Sequence, residues 1–168
     1  ISLKSLVNNM IRILEPDLSG NELKYVTECV QSGWISSKGS FVASFENLVL
    51  QNNDNRRCLA TANGTVALHL ALVALGIGVG DEVIVPNMTF GATINAILYT
   101  GATPVLVDVC KHTWNMDYQQ VMAAMSKKTK AILPVALFGN PSGIKELCVW
   151  AASNRILSII DAAEAVGA

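Results

Sequence analysis

Two acidic residues follow an apolar run near the end of the sequence. Asp161 comes directly after residues 156–160, and Glu164 lies three positions further on. The strands of α/β sheets present such residues at their carboxyl ends, where these sheets bind ligands. A buried carboxylate needs a cationic or hydrogen-bonding partner, and this segment contains no cation. We therefore expect Asp161 to be ion-paired or functional, with a protonated ring nitrogen as one fitting partner. Glu164 fits equally well as a solvated residue at a helix start.

A second candidate site lies where residues 60–69 pass from a strand through a tight turn into a helix. The backbone N–H groups of Gly64, Thr65 and Val66 would be free at the positive end of this helix. Such a helix end holds a phosphate without needing Lys or Arg. On the local pattern alone, the alternative is slightly favoured: Asn63 and Thr65 only cap the helix.

Two further strand ends carry residues that could contact a ligand. Phe90 could stack on a flat cofactor, although a residue that begins a helix and packs in the core is the commoner case. In the run 138–141, the Asn140 amide could donate to a ligand oxygen, although Gly-Asn-Pro more often marks a plain turn.

The composition excludes several classes of function. The 168 residues are 51% hydrophobic and 15% charged, with a net charge of −1, so no charge field attracts nucleic acid or a membrane surface. No apolar span suits a bilayer crossing, and no signal-peptide pattern is present. Four scattered cysteines and two isolated histidines predict neither a disulfide framework nor a metal site. We expect a cytoplasmic protein.

A repeated strand-then-helix order positions these residues. Residues 1–20 are predicted as an arm, followed by helices at 21–32, which Asn21 would cap, and 41–50. Strands are then predicted at 58–62, 82–85, 104–107, 131–135 and 156–160, with helices at 64–75, 90–99, 117–126 and 142–153. Strands that are continuous Val/Ile/Leu runs indicate a parallel sheet with helices on both faces, an α/β fold.

These elements, in this order, resemble the DegT/DnrJ/EryC1/StrS sugar aminotransferases, which are pyridoxal-phosphate enzymes of fold type I. The resemblance begins at about residue 12 and implies a three-layer α/β large domain with a mostly parallel sheet. Residues 21–168 would form its N-terminal part, without the remaining strands and the small C-terminal domain. The matching runs are 33–37, 63–65, 67–72, 80–86, 89–90, 101–105, 127–132 and 161–165.

The resemblance implies roles for the residues of the candidate sites. The backbone amides of Gly64 and Thr65 would bind the cofactor phosphate, and Phe90 would stack on the pyridine ring. Asp161 would pair with the pyridine nitrogen and keep it protonated. Glu164 would lie beside the phenolic oxygen of the cofactor and the substrate.

The resemblance also implies the reaction and the partners. Residues 161–165 look like the perosamine-synthase branch, in which glutamate donates an amino group to a 4-keto-6-deoxy nucleotide sugar. Trp34, Ser36 and Ser37 fall in a loop implied to bind this substrate. The complete protein is expected to be a homodimer, with no metal.

No catalytic residue is expected in this sequence. The family's Schiff-base lysine would lie beyond Ala168, so transamination by these residues alone is not expected. Two alternatives stay open. Some relatives carry His in place of the lysine and are dehydratases, and a naturally short chain would be a non-catalytic subunit or binding module.

Overall fold

The computed structural model describes residues 16–51 and 57–167. They belong to two compact units, Ile1–Ala60 and Thr61–Ala168. Most of the predicted arm, residues 1–15, lies outside the described residues, and residues 16–20 form no helix or strand. No described helix is long and apolar enough to span a bilayer.

The first unit contains two helices, close to the predicted ranges. Helix α1 spans Glu22–Ser32 and helix α2 spans Ser40–Gln51. The predicted cap was wrong, because the side chain of Asn21 accepts no capping hydrogen bond. Helix α1 ends at Gly33, whose φ of 76° is readily adopted only by glycine, and whose N–H donates to the Val30 carbonyl.

The second unit is built on four parallel strands with helices between them. The strands lie side by side in the order β2-β1-β3-β4. They are β1 Glu82–Pro86, β2 Thr103–Val107, β3 Thr129–Ile132 and β4 Leu157–Ser158. The helices are α3 Gly64–Ala74, α4 Gly91–Tyr99, α5 Tyr118–Ala123 and α6 Ile144–Ser153, and a short 3-10 helix spans Leu137–Gly139.

The strand predicted at 58–62 is absent. A strand exists only where its backbone groups pair with a neighbouring strand, and no described strand pairs with this segment. Leu59, which would be a core residue of that strand, is 69% exposed. The last two strands are also shorter than predicted, although Val135 and Asp161 continue their pairing through one further parallel bridge.

Helices cover both faces of the sheet, as predicted. Alternate residues of a strand point to opposite faces. Val83 and Val85 of β1 therefore pack with Leu72 of α3 and Ile97 of α4 on one face. On the other face, Ile84 packs with Val121 of α5 and with Leu147 and Ala151 of α6. These continuous apolar strands are buried on both sides.

The strand order opens a crevice at the carboxyl edge of the sheet. From β1 the chain crosses through α4 to β2 on one side, whereas β3 pairs with β1 on the other side and leads through α6 to β4. The loops that follow β1 and β3 therefore lead to opposite faces of the sheet. A ligand site is expected where they separate.

The packing of helices on both faces of the sheet gives a stability prediction. Leu72 is fully buried, whereas Leu70 of the same helix is 42% exposed. We expect Leu72→Ala to lower the free energy of unfolding by about 2–5 kcal/mol, because it loses apolar contacts and leaves a cavity. The matched change Leu70→Ala should cost about 1 kcal/mol or less. Urea unfolding of both variants measures the difference, and equal losses would contradict this packing.

Candidate functional site

A cavity of about 300 Å³ lies at the carboxyl edge of the sheet in the second unit. The starts of α3 and α4 form part of its wall, and the segments after β3 and β4 form the rest. Five residues singled out in the sequence line it together: Gly64, Thr65, Phe90, Asp161 and Glu164. The structure therefore brings the predicted cofactor residues to one place, although they span about a hundred positions of the sequence.

The start of α3 lines the cavity and offers free hydrogen-bond donors. The Asn63 side chain accepts from the Val66 N–H at 3.0 Å, so Asn63 caps the helix and the prediction of a free Val66 N–H was wrong. Within residues 16–51 and 57–167, no acceptor serves the N–H groups of Gly64 and Thr65 or the Thr65 hydroxyl. Apart from its chain neighbours and the backbone of its own helix, no described atom lies within 4 Å of a Cβ built on Gly64, so this side of the residue is open.

The side chain of Phe90 lies at the cavity wall and is 81% exposed. Phe90 is the N-cap residue of α4, with extended backbone angles of −70° and 143°. The alternative of a core-packed Phe90 was therefore wrong. A large exposed ring beside a cavity is a surface on which a flat ligand could pack.

Asp161 is held by its backbone and by both carboxylate oxygens. Its N–H donates to the Pro134 carbonyl at 2.9 Å, and its own carbonyl accepts from the Ala136 N–H at 3.0 Å. Oδ2 accepts from the Thr93 hydroxyl at 2.8 Å, and Oδ1 accepts from the Ala163 N–H at 3.2 Å. None of the described residues that line the cavity is Lys, Arg or His, so a cationic group of a ligand would meet no competing side chain.

Two threonines near Asp161 were given no role by the residue pattern. Thr93 is fully buried, and its hydroxyl lies 2.8 Å from that of Thr89, which lines the cavity. The contact between Thr93 and Asp161 joins residues 68 positions apart. The only local sign of a role for Thr93 in the sequence is its position three residues after Phe90, in the first turn of the same helix.

Glu164 holds the backbone of the segment after β3. Its Oε2 accepts from the Phe138 N–H at 2.5 Å. Phe138 has a φ of 52°, an unusual value for a residue with a side chain. A Cβ on the next residue, Gly139, would lie 3.2 Å from the Glu164 carbonyl oxygen. Residues 163–167 form turns, so the alternative of a helix-start role for Glu164 is not seen.

Asn140 joins two loops through hydrogen bonds. Its amide donates to the Thr113 carbonyl at 3.1 Å, and the Asn115 amide donates to the carbonyls of Asn140 and Ser142 at 2.9 and 2.8 Å. The Asn140 side chain is therefore used within the fold, and Leu137–Gly139 form a short 3-10 helix where a plain turn was the alternative.

The predicted substrate residues lie in the first unit. Trp34 and Ser36 line a groove of about 410 Å³ there, with Val30 and Phe41 among its apolar walls. Ser37 is exposed and does not line this groove. A role of the three residues in substrate binding stays a prediction.

The cysteines and histidines form no metal site in the described part of the chain. No group of three or more His, Cys, Asp or Glu side chains could hold a metal there. Cys29, Cys58, Cys110 and Cys148 are free thiols. The N–H groups of His112 and Thr113, in that order, lower the pKa of Cys110 by stabilising its thiolate.

The lowered pKa of Cys110 gives a prediction for its reactivity. The thiolate is the reactive form of cysteine. We expect alkylation of Cys110 by iodoacetamide to remain fast at pH values below the usual range of thiol titration. Thr113→Val removes one hydroxyl that contributes to this effect and should move the pH–rate profile upward. Peptide mass spectrometry gives the rates, and an unchanged profile in the variant would contradict the assignment.

Known proteins resemble this chain over most of its length. The family model of the DegT/DnrJ/EryC1/StrS aminotransferases matches residues 16–168. The chain is 47% identical over 157 residues to a GDP-perosamine synthase of Escherichia coli O157:H7 and 48% identical over 158 residues to one of Caulobacter vibrioides. Both alignments cover 94% of this chain, which spans 43% of the length of each relative.

Solved structures show the same fold. An aminotransferase from Psychrobacter cryohalolentis superposes with a TM-score of 0.82 at 36% identity, over 90% of this chain and 39% of that one. NtdA from Bacillus subtilis, solved with its bound cofactor PMP, superposes with a TM-score of 0.81 at 32% identity, over 95% of this chain and 39% of that one. The α/β fold is thus that of the family's pyridoxal-phosphate enzymes. The chain belongs to the DegT/DnrJ/EryC1/StrS aminotransferase family.

Proposed function

We propose that this chain supplies one side of the cofactor site of a pyridoxal-phosphate-dependent nucleotide-sugar aminotransferase. The observation that carries the proposal is the arrangement of the cavity, with free N–H donors at the start of α3 and the carboxylate of Asp161 both on its lining. Pyridoxal phosphate carries an anionic phosphate on one side of a flat ring and a basic ring nitrogen on the other. Its chemistry fits these donor and acceptor groups.

Five of the lining residues have a role in this proposal. The N–H groups of Gly64 and Thr65, with the Thr65 hydroxyl, hold the phosphate at the positive end of α3. The exposed ring of Phe90 packs on the pyridine ring, and Asp161 keeps the ring nitrogen protonated. When bound, the cofactor supplies an electron sink next to the amine being transferred. Glu164 lies beside the phenolic oxygen and the substrate.

The proposed substrates are L-glutamate as amino donor and a 4-keto-6-deoxy nucleotide sugar as acceptor. The identities of 47% and 48% with two GDP-perosamine synthases support this choice. The bound PMP of NtdA, the amine form of pyridoxal phosphate, supports the cofactor.

The proposal extends to the whole protein. We place residues 21–168 in the N-terminal part of the cofactor-binding large domain. We also propose, from the family resemblance, that the Schiff-base lysine lies outside these residues; no lysine is among the described residues that line the cavity. Following the family resemblance, we also propose a cytoplasmic homodimer in which Trp34, Ser36 and Ser37 contact the substrate.

The test uses the full-length protein loaded with pyridoxal phosphate. Adding L-glutamate should convert the cofactor's absorbance to that of the pyridoxamine form, and a 4-keto-6-deoxy nucleotide sugar should then restore the original spectrum. Binding of the cofactor without any change on adding glutamate would overturn the proposed reaction.

Asp161→Asn should lower kcat by about 10²–10³-fold, because the ring nitrogen loses the charge that keeps it protonated. Asp108→Asn is the matched control. Asp108 is an exposed acid just after β2 and does not line the cavity. Steady-state kinetics give kcat for both variants, and an equal fall of kcat in both would argue against a special role for Asp161.

Thr65→Val should weaken pyridoxal-phosphate binding by about tenfold, because a hydrogen bond to a charged group contributes about 1.5–3 kcal/mol. Pyridoxal, which lacks the phosphate, provides the control ligand. Its dissociation constant should be the same for the variant and the original protein. Fluorescence titration measures both constants, and equal weakening of both ligands would place Thr65 away from the phosphate.

A further inference from the structure

We infer that Thr93 is a positioning residue that acts through Asp161, with Thr89 as its own hydrogen-bond donor. The inference rests on the proposed function only in naming the ring nitrogen as the group that Asp161 meets. Thr93 does not line the cavity, but it is fully buried directly behind the carboxylate, with Oγ1 2.8 Å from Asp161 Oδ2.

The Thr93 hydroxyl does not make the contact usual for its place in the helix. A threonine in a helical turn commonly donates to a carbonyl three or four residues earlier. Thr93 instead donates to a carboxylate at the end of another strand, while its N–H donates to the Phe90 carbonyl at 3.1 Å. One helical turn therefore carries Phe90 on the cavity wall and Thr93 behind the carboxylate.

The direction of the hydrogen bonds follows from the number of protons. An ionised carboxylate only accepts, and a hydroxyl has one proton to donate. Because Thr93 donates to Asp161, the proton in the 2.8 Å contact between Thr93 and Thr89 must come from Thr89. The two threonines thus form a chain of donors that ends at Oδ2.

The donor chain determines which lone pairs of Asp161 remain available. A carboxylate has about four acceptor positions. Thr93 occupies one on Oδ2, and the Ala163 N–H occupies one on Oδ1. With one contact to each oxygen, the carboxylate cannot rotate without losing a hydrogen bond. Its remaining lone pairs keep a fixed direction, which a charged N–H donor requires for a short, strong hydrogen bond.

Four variants of the full-length protein test the inference. Thr93→Val removes the donor at nearly constant volume, and Thr93→Ser keeps it. Thr89→Val removes the donor behind it. Thr100→Val is the matched control, since Thr100 follows α4 and its hydroxyl donates to the Ile97 carbonyl at 2.7 Å.

Crystal structures of the cofactor-free proteins give the first readout. We expect one carboxylate orientation for Asp161 in the original protein, Thr93→Ser and Thr100→Val, and a rotated or split carboxylate in Thr93→Val. An unmoved carboxylate in Thr93→Val would overturn the inference. This readout needs no cofactor, so it tests the role of Thr93 independently of cofactor binding. If the original protein bound no pyridoxal phosphate, that result would overturn the proposed function and leave the inference about Thr93 standing.

Nitrogen NMR of pyridoxal phosphate labelled at the ring nitrogen gives the second readout. In Thr93→Val the pH at which the bound ring nitrogen loses its proton should fall by about one unit, equivalent to about a tenfold weaker interaction. We expect kcat to fall about tenfold with little change in KM for glutamate. Thr93→Ser should restore both values. If Thr93→Val does not fold, Thr89→Val provides the same comparison, with a smaller fall in the pH at which the ring nitrogen loses its proton. The absence of such a fall in both variants would overturn the inference.

Discussion

The parallel pairing of β1 with β3 determines where the functional groups of this chain lie. All four strands point the same way, so each delivers its following loop to one edge of the sheet. Because β2 and β4 lie on opposite sides of this central pair, the loops after β1 and β3 diverge and leave a crevice. Phe90 and Asp161 meet there because their loops leave the same edge. The start of α3, which packs on the face formed by Val83 and Val85, adds Gly64 and Thr65.

The cavity lining combines polar groups with apolar side chains such as Leu68, Ala92 and Val135. The start of α3 offers N–H groups at the positive end of a helix dipole, and Asp161 offers a carboxylate. No Lys, Arg or His side chain is among the described residues of the lining, so backbone donors provide the attraction for an anion. Such donors are fixed by the helix and lose no side-chain entropy on binding. This arrangement suits a ligand whose two charged groups are held apart by a flat ring.

The sequence predicted the fold better than it predicted individual contacts. Runs of Val and Ile identified β1, and the order of strands and helices identified a parallel sheet, because both depend on local pattern. The strand at 58–62 failed because strand formation depends on a partner elsewhere in the chain. The hydrogen bond from Thr93 to Asp161 could not be predicted either, since it joins residues 68 positions apart. For Phe90 the residue pattern alone favoured the core and the family resemblance implied a ligand contact, and the structure shows its side chain exposed.

Asp161 and Glu164 are three residues apart, yet their surroundings differ. Asp161 is bound through its N–H, its carbonyl and both carboxylate oxygens, so neither its backbone nor its side chain can move alone. Glu164 is exposed, and its Oε2 holds the Phe138 N–H in a turn with positive φ. A fixed carboxylate suits a contact that must persist throughout a reaction, such as one with a ring nitrogen. An exposed carboxylate with Oε1 unused by any described residue suits contacts that change as substrates enter and leave. Two acidic side chains on one short segment thus differ in how firmly they are held, according to how many donors contact them.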